Sequence, residues 1–471
     1  MISRLVTNCT LKKYIWTVSL LLACLLWLVA PAAAQETTPA GPVYIVQPGD
    51  TLWDISARFG VTLDALMQAN GISDANQVGA GASLIIPGLE GVSGVLTTQE
   101  VPLGETLSSL ARSTGVPLAV LVRLNHILSP SELYAGASLI IPQNETNLST
   151  QRTALATGQS LLELAVLHNT NPWAMVAQNQ LEGAWAALPG EVLRAPGAAD
   201  SGPGGMPPQV TAFTVSALQQ GQTTVLHLEA PAGTTLSGSL MGHELHFFPV
   251  ADGGYAALQG VHALADPGLY TLSLSGMLPG GVPLAFSQSV RVRAGDFIYE
   301  RLTVDPKTLD ETVTIPENEQ WMALAAPATP EKLWDGALSP AVDLVYLDCI
   351  TSWYGNRRSY NGSEFIYFHT GLDYCNGSGS SVYAPAPGKV VFAGFLEVRG
   401  YAIMIDHGWG VYTAYMHQSE LLVQEGDVVA TGQVIGITGG TGRVQGPHLH
   451  WEILVGGVQV DPEPWLAQAF P

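Results

Sequence analysis

The N-terminal third of the chain alternates short strand-like runs with stretches of helical period. Val43-Tyr44-Ile45-Val46 predicts a strand. Gly49-Asp50-Thr51 then turns the chain, with Thr51 as a helix N-cap. Leu52, Ile55 and Phe59 form an apolar stripe from which Asp54 and Arg58 are excluded, and Gly60 ends the helix. A second helix runs from Thr62 to Asn70 and stops at Gly71, and Leu84-Ile85-Ile86 is the returning strand. The octet Ala80 to Pro87 recurs unchanged at Ala135 to Pro142. That shift aligns Gly49-Asp50-Thr51 with Gly104-Glu105-Thr106, and Asn70 with Asn125. A further shift reaches Gly158-Gln159-Ser160, Asn179 and Pro196. The pattern predicts a threefold array of strand–helix–helix–strand units over 43–87, 96–142 and 148–196.

Residues 197–209 are rich in Gly and Pro without periodicity and read as a flexible linker. From 210 to 304 apolar and polar positions alternate, as at Leu226 and Leu228 against His227 and Glu229. Turn signals recur every 8–12 residues or so, which predicts a β-sandwich-like spacer. His243-Glu244-Leu245-His246 sets its histidines three apart, whereas the helical zinc motif needs four; it reads as a strand edge. Pro316 to Leu338 carries helical periodicity around Trp321, Leu324 and Leu333, so 305–339 is expected to be a helical connector to a last domain at 340–471. The expected fold class is multidomain and mainly β.

Charge narrows the partners. The chain has 39 acidic and 18 basic residues, a net charge of −21. Counterion release would oppose binding to a phosphate backbone, so no nucleic-acid partner is expected. Arg4, Lys12 and Lys13 precede an apolar run from Tyr14 to Ala30, followed by Pro31 and three alanines. This describes a signal peptide over 1–34, cleaved after Ala34, and an extracytoplasmic protein; the alternative is an uncleaved membrane anchor. Loss of 1–34 removes three basic and no acidic residues, leaving 15 against 39 and a net charge of −24. Cys349 and Cys375 remain. An even pair in an oxidising compartment is expected to form a disulfide, with Cys375 as a metal ligand the alternative.

The last domain concentrates histidines. His369-Thr370-Gly371-Leu372-Asp373 sets an imidazole and a carboxylate four apart, and Gly371 argues for an extended segment, where i and i+4 share a face. His448-Leu449-His450 sets two imidazoles on one face of a strand continuing through Trp451-Glu452-Ile453. Two such strands can converge two nitrogens and one oxygen. Three protein ligands and one open position is what catalytic Zn²⁺ requires, and this donor set suits zinc over Mg²⁺ or Ca²⁺. Glu452 shares the face of His448 and His450 and reads equally as a support for a metal ligand or as a solvated charge. His407 reads as an ordinary strand residue. The Gly-rich stretch 436–446 lacks a Lys-Ser/Thr ending and implies no phosphate loop.

Two resemblances follow. Tyr44-x-Val46-x-Pro48-Gly49-Asp50-Thr51-Leu52-Trp53-x-Ile55-x-Ala57, with Asn70 and Leu84-Ile85-Ile86-Pro87, resembles a LysM domain. This implies binding to N-acetylglucosamine-containing glycan through Gly49, Asp50, Thr51, Asn70 and neighbours such as Ile72. The second and third units depart, with Glu105 and Gln159 for Asp50, and Ser108 and Leu162 for Trp53. Within about 340–466, the segments at 353–362, 369–373, 382–390, 415–419 and 442–452 resemble the lysostaphin/LytM-type zinc metalloendopeptidases of the cell wall. Carried over, the resemblance implies an antiparallel β groove, zinc held by His369, Asp373 and His450, active-site roles for His417 and His448, and peptidoglycan as substrate. The competing functions are a non-catalytic scaffold and a pure wall-binding protein.

Overall fold

A computed structural model describes residues 41–471 apart from 90–91, 130–131, 144–148 and 252. The expected leader over 1–34 lies outside the described residues. No helix among the described residues is long and apolar enough to cross a membrane. The chain divides after Leu96 into two compact bodies.

The first body contains β1 (Val43–Ile45), α1 (Leu52–Phe59), α2 (Leu63–Ala69) and β2 (Ser83–Ile85), with β1 and β2 antiparallel. Thr51 caps α1 by accepting from the Asp54 N–H at 3.1 Å, and Gly60 ends it at φ +63°. The stripe of Leu52, Ile55 and Phe59 is buried, and the Tyr44 ring meets Phe59 edge-on at 5.3 Å.

Strand β3 (Val95–Glu100) leads into the second body, where the unit is rebuilt twice. The second copy has α3 (Leu107–Thr114), α4 (Leu118–Leu124) and β4 (Ser138–Gln143). The third has β5 (Thr150–Ala154), α5 (Leu161–Leu167), α6 (Pro172–Gln178) and β6 (Val192–Pro196). One asparagine closes each copy. The Asn70 amide donates to the carbonyls of Leu66 and Ile85 and accepts from the Ile85 N–H. Asn125 makes the same bonds to Leu121 and Ile140, and Asn179 to Met175 and Arg194. These are backbone groups that neither a helix end nor a strand edge satisfies by itself.

The stretch 197–209, read as a flexible linker, is tied down. The buried Arg152 guanidinium donates to the carbonyls of Pro203, Met206 and Val210 and pairs with Asp200. Beyond it lie β7 (Ala212–Val215), β8 (Thr223–Glu229), β9 (Thr235–Leu240), β10 (His243–Leu245), β11 (Phe248–Pro249), β12 (Tyr255–Gly260), β13 (Gly268–Leu278) and β14 (Val282–Val292). They form two four-stranded sheets, β10-β9-β13-β14 and β11-β12-β8-β7. Inward-facing Leu226, Leu228, Leu240, Leu272, Leu284 and Phe286 share one core. His243 lies on the edge strand β10. Ala256 and Leu258 of β12 enter the core of the last domain, so the spacer is fused to that domain.

Strand β15 (Tyr299–Leu302) and helix α7 (Glu311–Leu324) follow. The periodicity read from Pro316 to Leu338 misplaces this helix. Asp310 starts it earlier by capping the Thr312 N–H, while Pro327 and Pro330 prevent continuation past Ala325. The last sheet runs β16 (Ile350–Ser352), β19 (Leu372–Tyr374), β26 (Leu449–Val455), β23 (Val411–Leu421), β22 (Gly400–Asp406), β21 (Gly388–Leu396), β24 (Val428–Val429), with antiparallel neighbours. Strands β17 (Arg357–Tyr360) and β18 (Tyr367–Phe368) pair beside it, with β17 parallel to β15. Strands β20 (Ser381–Tyr383) and β25 (Val434–Thr438) pair with each other, β25 also joins β23, and β27 (Val458–Val460) pairs with β26. Helix α8 (Glu463–Ala467) closes the chain. Every residue of β26 is buried. Leu449, Trp451, Ile453 and Val455 enter the main core, while Leu454 on the opposite face packs with Trp321 of α7. Cys349 and Cys375 are bonded to each other beside β16 and β19.

Candidate metal centre and active site

The register of β19 against β26 puts Asp373 directly opposite His450, and β23 puts Met416 opposite it on the other side. His369 ends the short segment before β19. Gly371 lets this corner close, since a Cβ there would lie 2.2 Å from the Trp451 carbonyl oxygen. Three donor atoms converge as a result. His369 Nε2 lies 2.9 Å from Asp373 Oδ1 and 2.9 Å from His450 Nδ1, and His450 Nδ1 lies 2.7 Å from Asp373 Oδ1. All three residues are buried.

The opposite nitrogens are engaged elsewhere. His369 Nδ1–H donates to the Trp353 carbonyl at 2.9 Å, leaving Nε2 as a lone pair aimed at the centre. His450 Nε2–H donates to Glu452 Oε1 at 3.1 Å. Burial pushes His369 down to about 4, so it presents a neutral nitrogen. Burial also opposes charge on Asp373, but the neighbouring imidazoles hold its carboxyl well below the usual range. On His450 burial is overridden by Asp373 and Glu452, which lift it to about 9. The donors thus draw positive charge to one point, and a divalent cation answers that demand with three ligands in place of one proton. The residues fit a zinc-type metal.

Two further imidazoles border this centre. His448 Nδ1–H donates to the Gly446 carbonyl at 2.8 Å, and its Nε2 lies 3.5 Å from Asp373 Oδ1. His417 Nδ1–H donates to the Thr441 carbonyl at 2.8 Å, and the two rings stand 4.9 Å apart. Both therefore keep Nε2 as a proton acceptor. Burial, reinforced by His448 and His450, pushes His417 well below its ordinary value. His417 also adopts φ +63°, an uncommon backbone state for a residue with a Cβ, where β23 shifts register against β22.

Comparison with known proteins agrees with this geometry. Residues 367–462 match peptidase family M23, and residues 44–87 and 100–142 match the LysM domain. The chain carries an M23 peptidase domain and LysM domains. The peptidoglycan DD-endopeptidase ShyA of Vibrio cholerae is 38% identical over 112 residues, 24% of this chain and 26% of that protein. The DD-carboxypeptidase/endopeptidase Mpg of Neisseria meningitidis is 46% identical over 94 residues, 20% of this chain and 22% of that protein. The chain thus spans about a quarter of the length of the curated relatives it matches. A structure of the antimicrobial peptidase lysostaphin from Staphylococcus simulans is similar at 36% identity with a TM-score of 0.20, covering 21% of this chain and 44% of that one.

In the first LysM unit the residues singled out for glycan hold the fold. Asp50 accepts from the Tyr44 hydroxyl, the Gln47 N–H and Arg58. Gln159 braces the same turn in the third unit by accepting from the Ala156 N–H. Asn70 spends its amide on backbone, Thr51 on the α1 cap, and Gly49 supplies φ +91°. Ile72 is half-buried, and Trp53 stands 68% exposed on α1.

Around this site the sequence left one residue open between two roles and gave no sign of several others. Glu452, left open between two roles, is 1% exposed and accepts from His450 and from the Trp321 indole N–H at 3.2 Å. Trp321 lies 131 residues away, and nothing local signals the pairing. Arg358 reaches Asp373 at 3.4 Å and Glu300 at 3.3 Å. Glu317 of α7 accepts from Arg399. Arg443 lines the same cleft. Only its place between Gly442 and Gly446 in the histidine motif hinted at it.

Proposed function

We propose that the chain is a zinc-dependent endopeptidase that hydrolyses peptide bonds in peptidoglycan stems or cross-bridges outside the cytoplasm. Its LysM units would hold it to N-acetylglucosamine-containing glycan. The observation that carries this reading is the convergence of His369 Nε2, Asp373 Oδ1 and His450 Nδ1, with His417 and His448 presenting proton-accepting nitrogens alongside.

His369, Asp373 and His450 would hold the zinc. When bound, that ion supplies a Lewis acid that brings the pKa of water towards about 7. The chain's own groups do the rest. His448, with His417, takes the proton of the attacking water at Nε2. The protonated imidazole then stabilises the developing oxyanion and hands its proton to the leaving amine. Glu452 and the Trp353 carbonyl hold the two ligand imidazoles in orientation. Glycan contacts fall to the main chain around Gly49 to Thr51, to Ile72 and to Trp53, because Asp50 and Asn70 are occupied.

Incubation of purified peptidoglycan with the mature protein and with His450→Ala tests the reading. Mass spectrometry of the released fragments should show new amino termini with the wild type alone. Fragments without new termini, or none, would reject an endopeptidase in favour of a scaffold or wall binder.

A further inference from the structure

The cleft beside the metal centre has a volume of about 1090 Å³, above the 300–1,000 Å³ or so of a small-molecule site, so it has room for an extended peptide. Three arginines line it: Arg358, Arg399 and Arg443. Two are neutralised. Arg358 pairs with Glu300 and Asp373, and Arg399 pairs with Glu317 at 2.9 Å. Arg443 differs. Its Nη1 donates to the Thr308 carbonyl at 3.1 Å and its guanidinium lies 4.9 Å from the centre of the Tyr360 ring. Among the described residues it has no carboxylate partner, and its Nε and Nη2 have no hydrogen-bond partner. Burial, with the nearby charges of Arg358 and Arg399, lowers its pKa, and Tyr360 and Glu317 offset this only in part. Glu311 and Glu319 also line the cleft, but both are exposed and neither pairs with Arg443.

The position of Arg443 is fixed. Its own N–H donates to the Val398 carbonyl at 2.8 Å. Gly442, at φ +78°, sits so close to Gly400 that a Cβ would lie 2.4 Å from the Gly400 nitrogen. The residue lies five positions before His448 on the same loop. A planar guanidinium with its Nε/Nη2 edge free matches a carboxylate through paired N–H donors.

We propose that Arg443 is a carboxylate-binding subsite, which makes the preferred substrate a peptide carrying a free carboxylate close to the scissile bond. This rests on the endopeptidase reading. It also explains how an acidic protein selects an acidic peptide: one unneutralised cation, mostly out of water, acts where bulk charge would repel.

The test uses cross-linked stem peptides released from purified peptidoglycan, untreated or with their carboxylates amidated. A synthetic set amidated separately at the terminal and side-chain carboxylates tells which of the two is read. The wild type should prefer the free form by tenfold or more in kcat/KM, roughly what one charge-assisted hydrogen bond contributes, mainly through KM. Arg443→Gln should bring the ratio near one. Arg443→Lys, which keeps charge without the fork, should fall between, and it carries the test if Arg443→Gln does not fold. A wild type indifferent to amidation, or Arg443→Gln with the wild-type ratio, overturns the subsite alone. A wild type that cleaves neither form overturns the endopeptidase reading and the subsite with it.

Discussion

Glu452 illustrates how a buried charge is made tolerable and useful. Burial opposes its ionisation, but the hydrogen bond and charge of His450 keep it below its ordinary pKa, and the Trp321 N–H satisfies its second oxygen. Glu452→Gln should weaken metal binding by roughly 10–100-fold, the usual cost of losing a partner that orients a ligand, as read by competition with a chromogenic chelator. His407 is buried for another purpose. Its Nδ1–H donates to the Pro387 carbonyl at 2.7 Å, and Nε2 meets the Thr413 hydroxyl at 2.8 Å. Burial lowers its pKa from 6.5 to about 4. The folded state therefore refuses a proton that the unfolded state accepts. Stability contributed by neutral His407 is complete above about 6.5 and is lost as pH falls to about 4, by about 3 kcal/mol in all. Unfolding midpoints measured across that range should flatten in His407→Asn, and an unchanged slope would refute the assignment. The HxxxD and HxH spacings were legible at this scale because each is local, although His369 reaches Asp373 through the bend at Gly371 and not by alternation along a strand. The bonds that Asp50 and Asn70 make within the fold were not, since the same side-chain chemistry serves a sugar hydroxyl and a backbone amide equally well.

The elements show where local pattern runs out. Helix α1 was legible from cap to stop because Thr51, the apolar stripe and Gly60 agree. Helix α7 was misplaced because Leu333, which extended the spacing of Trp321 and Leu324, is half-buried without being helical. The clasp asparagines give the repeat its sharpest test. Asn70→Ala leaves the Ile85 N–H and two carbonyls without their partner, and each group left buried and unpaired costs about 1–3 kcal/mol. The Ile85 amide should exchange with solvent markedly faster in this variant; wild-type protection would contradict the clasp.

At the scale of the whole molecule, the expectation of a mainly β, multidomain chain holds. Its packing was less legible, because the contacts that fuse the sandwich to the M23 domain, such as Ala256 and Leu258 in the peptidase core, join residues far apart in sequence. Net charge acts here as well. A chain with a net charge of −21 is repelled by an anionic surface, so on the proposed reading wall recognition comes from neutral grooves and a few local cations. Pull-down on purified wall should therefore hold or strengthen as salt rises towards 1 M, where the screening length is about 3 Å. Release by salt would reveal a basic contact surface instead. The central claim is that one metal, held by His369, Asp373 and His450, is required for peptide-bond cleavage. The most direct measurement strips the protein with a chelator, restores zinc in steps, and follows bound metal and newly released amino termini together. Both should rise in step to one ion per chain, and His369→Ala should show neither. Cleavage by metal-free protein, or undiminished zinc binding in His369→Ala, would contradict it.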